Sequence, residues 1–261
     1  MSAVPVLADC EAFSHDAGPG TRSGVLVLHG FTGNPSSMRL QAHALADAGH
    51  HVEQPRLPGH GTSLDDMLAT TWADWSGEAA VAYDRLAARA DRIVVMGLSM
   101  GGTLTLWTAL ERVGDSRLRG LICVNPAAAH EAEEMRAGLT ALLDDGTTVV
   151  PAIGSDIADP EQTEISYDGT PVAPLVSLID AKAAIADRYG ELSVPLLLFT
   201  SYDDHVVPPD QSRHLAATHG AGDGELVDHV WLERSYHVAT QDHDRDLITE
   251  RSLDFVSRVT A

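Results

Sequence analysis

The pattern Gly97-x-Ser99-x-Gly101 follows the apolar run Val94-Val95-Met96 and opens a stretch with helical patterning. A strand, a sharp turn with serine at its tip and then a helix suits a nucleophile. The turn holds the serine in a strained conformation and lifts its hydroxyl clear of the sheet. Glycine is needed on both sides because a side chain there would collide with the neighbouring strand and helix. A serine hydroxyl is a weak nucleophile near neutral pH. It needs a base to take its proton, and the base needs a carboxylate to hold its tautomer and steady its charge.

With thirteen histidines in the chain, the presence of one is uninformative and position must select. His237 lies in the loop Glu233–Val238, directly after the predicted strand Asp228–Leu232; elsewhere on the surface such a histidine would be an ordinary loop residue. Asp203 and Asp204 stand just past the preceding apolar run, Val194–Thr200. The order Ser, Asp, His is the one this strand–turn–helix arrangement uses. Asp203 and Asp204 compete for the acid. Asp204 is favoured because Ser201-x-x-Asp204-x-Val206-Val207 sets it ahead of an apolar pair, leaving Asp203 as a solvated loop charge or a reserve acid. The developing oxyanion needs donors. The N–H of Met100, directly after the serine, and the N–H of Phe31, in the loop after Val25–Gly30, are the expected pair. The side chains of Phe31 and Met100 are expected to wall the acyl pocket. His29 and His60 are expected to serve as structural hydrogen-bonding groups behind these loops.

The elements that must position these groups alternate. Gly24–Gly30 reads as a strand buried on both faces, followed by a loop, a helix from Ser36 to Gly49 and a short strand at His51–Pro55. A rigid turn at Leu57–Gly61 precedes a long helix, Thr71–Ala90, capped by Thr70 or Thr71. Strands are predicted at Arg92–Met96, Gly120–Val124, Val194–Thr200 and Asp228–Leu232, with helices at Gly101–Val113, Asp210–Ala217 and Asp242–Val259. This alternation predicts an α/β fold: a mostly parallel sheet with helices on both faces. The pattern changes between Ala127 and Arg188, where helical stretches (Glu131–Leu143, Val172–Ala186) flank an irregular run without a core strand. The expected organisation is a core of residues 1–126 and 189–261 with a small helical cap at 127–188. Met135, Leu139, Leu142, Leu175 and Ile179 of that cap, with Val206, are the candidate substrate contacts, although at helical spacing the cap residues would equally seal it against the sheet.

A net charge of −21 disfavours nucleic acid and anionic membrane as partners, because both would be repelled. Met1–Cys10 shows no basic-then-apolar signal pattern, and no 18-residue apolar run occurs, so a cytoplasmic protein without stable membrane insertion is expected. Two cysteines make no disulfide framework, and Cys123 reads as a small core residue. The histidines are scattered without ligand spacing, so neither a metal nor a cofactor is expected. Oligomeric state is not legible.

The stretches His29-Gly30-Phe31-Thr32-Gly33, Pro58-Gly59-His60-Gly61, Gly97-Leu98-Ser99-Met100-Gly101-Gly102, Asp204-His205-Val206-Val207 and Ser235-Tyr236-His237-Val238 together resemble the α/β-hydrolase superfamily. Within it they resemble bacterial carboxylesterases and monoacylglycerol lipases. The resemblance runs in order from Val25 to the C-terminus, with only 127–188 unmatched by motif. It implies an acyl-enzyme on Ser99, an alcohol that leaves protonated by His237, hydrolysis by water, and a cap that selects the acyl or glycerol part of a small ester or lipid-like substrate. Serine at position 99 argues against relatives with an aspartate nucleophile. A thioesterase, C–C bond hydrolase or acyltransferase on the same triad is the alternative, since the leaving group is chosen by pocket shape. A ligand-binding hydrolase fold without turnover is the reading outside the enzymes.

Overall fold

Apolar residues alternate between two cores along each central strand. In the computed structural model, which describes residues 4–152, 154–222 and 224–261, β1 (Phe13–His15), β2 (Ser23–Leu28), α1 (Arg39–Asp47), β3 (His51–Gln54), α2 (Leu64–Leu68), α3 (Trp72–Ala87), β4 (Arg92–Leu98) and α4 (Met100–Leu110) form the first half. Val25 and Val27 of β2 pack with Val94 and Met96 of β4 into one core. Leu26, Leu28, Ile93 and Val95 pack into the other. Burying each such side chain contributes roughly 1.5–3 kcal/mol, and a strand covered on both faces collects that gain at every residue.

The second half comprises β5 (Leu118–Val124), α5 (Glu133–Asp144), β6 (Val149–Pro151), β7 (Gly169–Pro171), α6 (Val172–Ala186), β8 (Leu196–Ser201), α7 (Asp210–Thr218), β9 (Val227–Leu232) and α8 (Arg245–Thr260). The main sheet has the order β1-β3-β2-β4-β5-β8-β9 and is parallel except for β1, which runs antiparallel to β3. Ile248, Phe255 and Val256 of α8 join α1 on one face; Trp75 and Tyr83 of α3, with Leu104 of α4, cover the other. The expected α/β architecture is the one found.

Parallel pairing brings the ends of the strands to one edge. Leu28 pairs with Gly97, Leu98 with Val124, Val124 with Phe199, and Ser201 with Leu232. The loops that follow these strands therefore emerge side by side, where open α/β sheets hold their sites.

The differences from expectation are local. β1 and the five-residue α2 are too short to show a period. The segment between β5 and β8 contains α5 and α6 as expected, but also the pair β6–β7, an antiparallel ribbon separate from the main sheet. α8 starts at Arg245 rather than Asp242, whose side chain is committed elsewhere. Of the Met1–Cys10 stretch read for a signal pattern, the first three residues lie outside the described residues.

Candidate active site

Ser99 follows the last residue of β4 with φ +55° and ψ −118°, a conformation that a non-glycine residue adopts only under constraint. The constraint is close packing. A Cβ on Gly97 would stand 2.0 Å from the carbonyl oxygen of Gly101, and one on Gly101 would stand 2.0 Å from that of Leu28. Only glycine lets strand, turn and helix approach this far. The backbone of Ser99 is held by its N–H donating to Val124 O at 3.0 Å, and its carbonyl accepts from Gly102 N at 2.9 Å.

His237 and Asp204 are brought together from loops after β9 and β8. Nδ1 of His237 lies 2.8 Å from Oδ2 of Asp204. Both side chains are buried, at 7% and 1% exposure. The other carboxylate oxygen, Oδ1, accepts the N–H groups of Val206 (2.9 Å) and Val207 (2.8 Å), so Asp204 is fixed by its own turn. Asp203 is exposed and makes no such contact. Burial opposes ionisation of His237, but the Asp204 hydrogen bond and the charges of Asp204, Glu164 and Asp156 outweigh it and raise the imidazole above its usual value.

Asn125, directly after the strand predicted at Gly120–Val124, proves to be a junction. Its Nδ2 donates to Ser201 Oγ at 3.0 Å and His237 O at 2.8 Å, and its Oδ1 accepts Ser201 N at 2.8 Å. It thus ties the ends of β5 and β8 to the His237 loop from a left-handed conformation, φ +43°.

The N–H groups of Phe31 and Met100 donate to no acceptor among the described residues, and Met100 sits at the first position of α4, where an N–H has no intrahelical partner. His29 and His60 lie behind the Phe31 loop. His29 Nε2 accepts the N–H of Leu57 at 3.1 Å, and Nδ1 of His60 lies 3.0 Å from Pro58 O. Burial drives both imidazoles down, His60 to about 4, so both are neutral structural groups. Phe31 and His60 pack edge-on against Trp75 at 5.7 and 5.5 Å.

Ser99, His237 and Phe31 open onto one cavity of about 350 Å³. Met135, Leu175, Leu178, Ile179, Val206 and Val207 supply its apolar wall. Three expected contacts are corrected. Leu139 and Leu142 of α5 do not line the cavity, since Met135 reaches it from the helix's first turn while they lie farther along. The side chain of Met100 is fully buried in the core beside Leu104, so its expected place in the pocket wall falls away.

Sequence reasoning missed the cavity's polar groups, which carry no local motif. Lys182, the chain's one lysine, pairs with Glu131, whose carboxylate is also held by Gln211 Nε2 at 3.0 Å. Glu164 faces the cavity and its carboxyl has no hydrogen-bond partner among the described residues; burial pushes it up to about 7, against the pull of His237. No cluster of three or more His, Cys, Asp or Glu suited to a metal occurs among the described residues.

The chain matches the family model described as serine aminopeptidase, S33 (Hydrolase_4) over residues 19–244. It is 41% identical to the thermostable monoacylglycerol lipase of Bacillus sp. strain H-257, over 97% of this chain and 97% of that protein. It is 24% identical to the carboxylesterase of Bacillus subtilis strain 168, over 92% and 94%. A solved structure from the work on LipS and LipT, two metagenome-derived lipolytic enzymes, shares 40% identity and a TM-score of 0.87, covering 97% of this chain and 100% of its own.

Proposed function

The chain belongs to the Hydrolase_4 family of serine hydrolases with the α/β-hydrolase fold, and from that premise we propose that it hydrolyses monoacylglycerols, with Ser99 as nucleophile, His237 as base and Asp204 as its carboxylate partner. It is a serine hydrolase of the lipase and esterase kind, cleaving carboxylic esters. The observation that carries the residue roles is the 2.8 Å bond from His237 to Asp204 beside a cavity that Ser99 also lines.

With Nδ1 engaged by Asp204, Nε2 is the atom left to take the Ser99 proton as Oγ attacks the ester carbonyl. The N–H groups of Phe31 and Met100 receive the oxyanion. Collapse of the tetrahedral intermediate expels the alcohol, which leaves with the proton from His237. Water then repeats the sequence on the acyl-enzyme and frees the acid and Ser99.

The apolar wall suits a single acyl chain, and the unpartnered carboxyl of Glu164 suits an alcohol that keeps free hydroxyls. Residues 127–188 act as the cap over a core of 1–126 and 189–261. Among the described residues no helix is long and apolar enough to cross a membrane. A cytoplasmic location is supported by two free cysteines and by an acidic composition that repels anionic surfaces.

The test is hydrolysis of monoacylglycerols and of nitrophenyl esters of graded chain length against acyl thioesters, with fluorophosphonate labelling. Wild type is expected to label and to favour monoacylglycerols, and Ser99→Ala to do neither. Failure of wild type to label, or equal labelling of Ser99→Ala, overturns the residue roles; preference for thioesters overturns the substrate.

A further inference from the structure

One carboxylate from the segment between β5 and β8 reaches both loops of the His237–Asp204 pair. Oδ2 of Asp156, between β6 and β7, accepts the N–H of His237 at 3.0 Å and the N–H of His205, the residue after Asp204, at 3.2 Å. Oδ1 lies 2.8 Å from Nδ1 of His205, and the Asp156 carbonyl accepts the N–H of Val238 at 3.0 Å. The carboxylate is only 10% exposed and borders the cavity. The neighbouring stitch runs the opposite way: buried Asp242 accepts the N–H groups of Ala158 (2.7 Å), Asp159 (3.0 Å) and Tyr236 (2.9 Å).

We propose that Asp156 is a positioning residue for the His237 base, supplied by the inserted segment and setting the spacing between the acid loop and the base loop. The inference rests on the roles proposed for Ser99, Asp204 and His237. Two N–H groups that converge on one oxygen fix the distance between their loops. The same negative charge lies beside the imidazolium that forms as the serine is deprotonated, and so favours that state. The inserted segment therefore completes the catalytic geometry as well as covering it.

The groups acting on the His237 ring are Asp204, Glu164 and Asp156, and His205 shares Asp156. Their signs give a readout that simple anchoring would not move. Asp156→Asn removes a negative charge near the ring, so the imidazole loses its proton more readily and the acid limb of kcat/KM moves to lower pH. In the same variant kcat falls on the order of 10²-fold, the cost of a base displaced by about 1 Å, with KM little changed. His205→Ala removes the ring whose Nδ1 holds Oδ1 of Asp156, so the carboxylate is less firmly placed and kcat falls with KM little changed.

The experiment measures pH profiles of kcat and KM for wild type, Asp156→Asn and His205→Ala, with fluorophosphonate labelling of each. A shift of the limb to lower pH with reduced labelling in Asp156→Asn, and a lower kcat in His205→Ala, support the proposal. An unmoved limb in Asp156→Asn overturns it, whether kcat is retained or lost. Should Asp156→Asn fail to fold, His205→Ala decides alone: a lower kcat at little-changed KM supports the strut, and an unchanged kcat overturns it. Wild type that does not label sinks the triad assignment instead, and is thereby distinguished from failure of this inference.

Discussion

Asp204 divides its carboxylate between two tasks: Oδ2 meets Nδ1 of His237 at 2.8 Å, while Oδ1 holds the N–H groups of Val206 and Val207. Replacing it by asparagine keeps the shape but offers His237 a donor where an acceptor is required, favouring the wrong tautomer. Asp204→Asn is expected to lower kcat by about 10⁴-fold, as at the equivalent position of a well-studied triad. Asp203→Asn, on an exposed side chain, should leave kcat near wild type. Steady-state kinetics on one nitrophenyl ester checks both, and equal losses would contradict the assignment.

A second prediction concerns pH. His237 acts as a base only when neutral, and its surroundings raise its pKa above the ordinary imidazole value of about 6.5. Activity should therefore fall as pH drops through a value above 6.5. A kcat/KM profile flat between about pH 5 and 8 would exclude His237 as the base.

The parts of the site written in adjacent residues were legible. The Ser99 turn advertises itself because the contacts that shape it fall on Gly97 and Gly101, two residues away on either side. Asp204 is set by hydrogen bonds within its own turn. Asn125 and Asp156 were illegible for the opposite reason. They bind the His237 loop across 112 and 81 residues of chain, and no local pattern encodes such a partner. Strands of three residues, such as β1 and β6, have too little length to show alternation. On α5, Met135 borders the cavity and Leu142, two turns on, does not; helical spacing marks a shared face but not what lies under each part of it.

That distinction can be measured. Leu175→Phe and Ile179→Phe reduce the cavity, and are expected to shift preference among nitrophenyl esters toward shorter acyl chains. Leu139→Phe and Leu142→Phe should leave the chain-length profile unchanged. A shift caused by Leu142→Phe equal to that of Ile179→Phe would show that the acyl chain runs along α5 instead.

Buried neutral histidines predict acid lability. The folded pKa of His60 is depressed to about 4, whereas the unfolded chain titrates near 6.5. The unfolded state then binds the proton more readily. The stability tied to keeping His60 neutral is complete above about pH 6.5 and is lost as pH falls toward 4, on the order of 3 kcal/mol in all. His29 adds to this in the same direction, while His237, with its raised pKa, opposes it. Urea unfolding at a series of pH values is expected to show the fall, and His60→Asn to flatten it while lowering stability at neutral pH.

Glu164 gives the last prediction, at the polar side of the cavity. Burial without a hydrogen-bond partner raises its carboxyl to about 7, so it changes charge within the working range of His237. Below that value it is a neutral donor and acceptor; above it, an acceptor for a hydroxyl. The alcohol part of a monoacylglycerol carries two free hydroxyls, and that of a nitrophenyl ester of the same acid carries none. Glu164→Leu is therefore expected to raise KM for the monoacylglycerol on the order of tenfold, the effect of one lost hydrogen bond to a partly charged group, while leaving KM for the matched nitrophenyl ester near wild type. Equal changes on both substrates would place Glu164 against the acyl chain or the His237 ring and remove it from recognition of the alcohol.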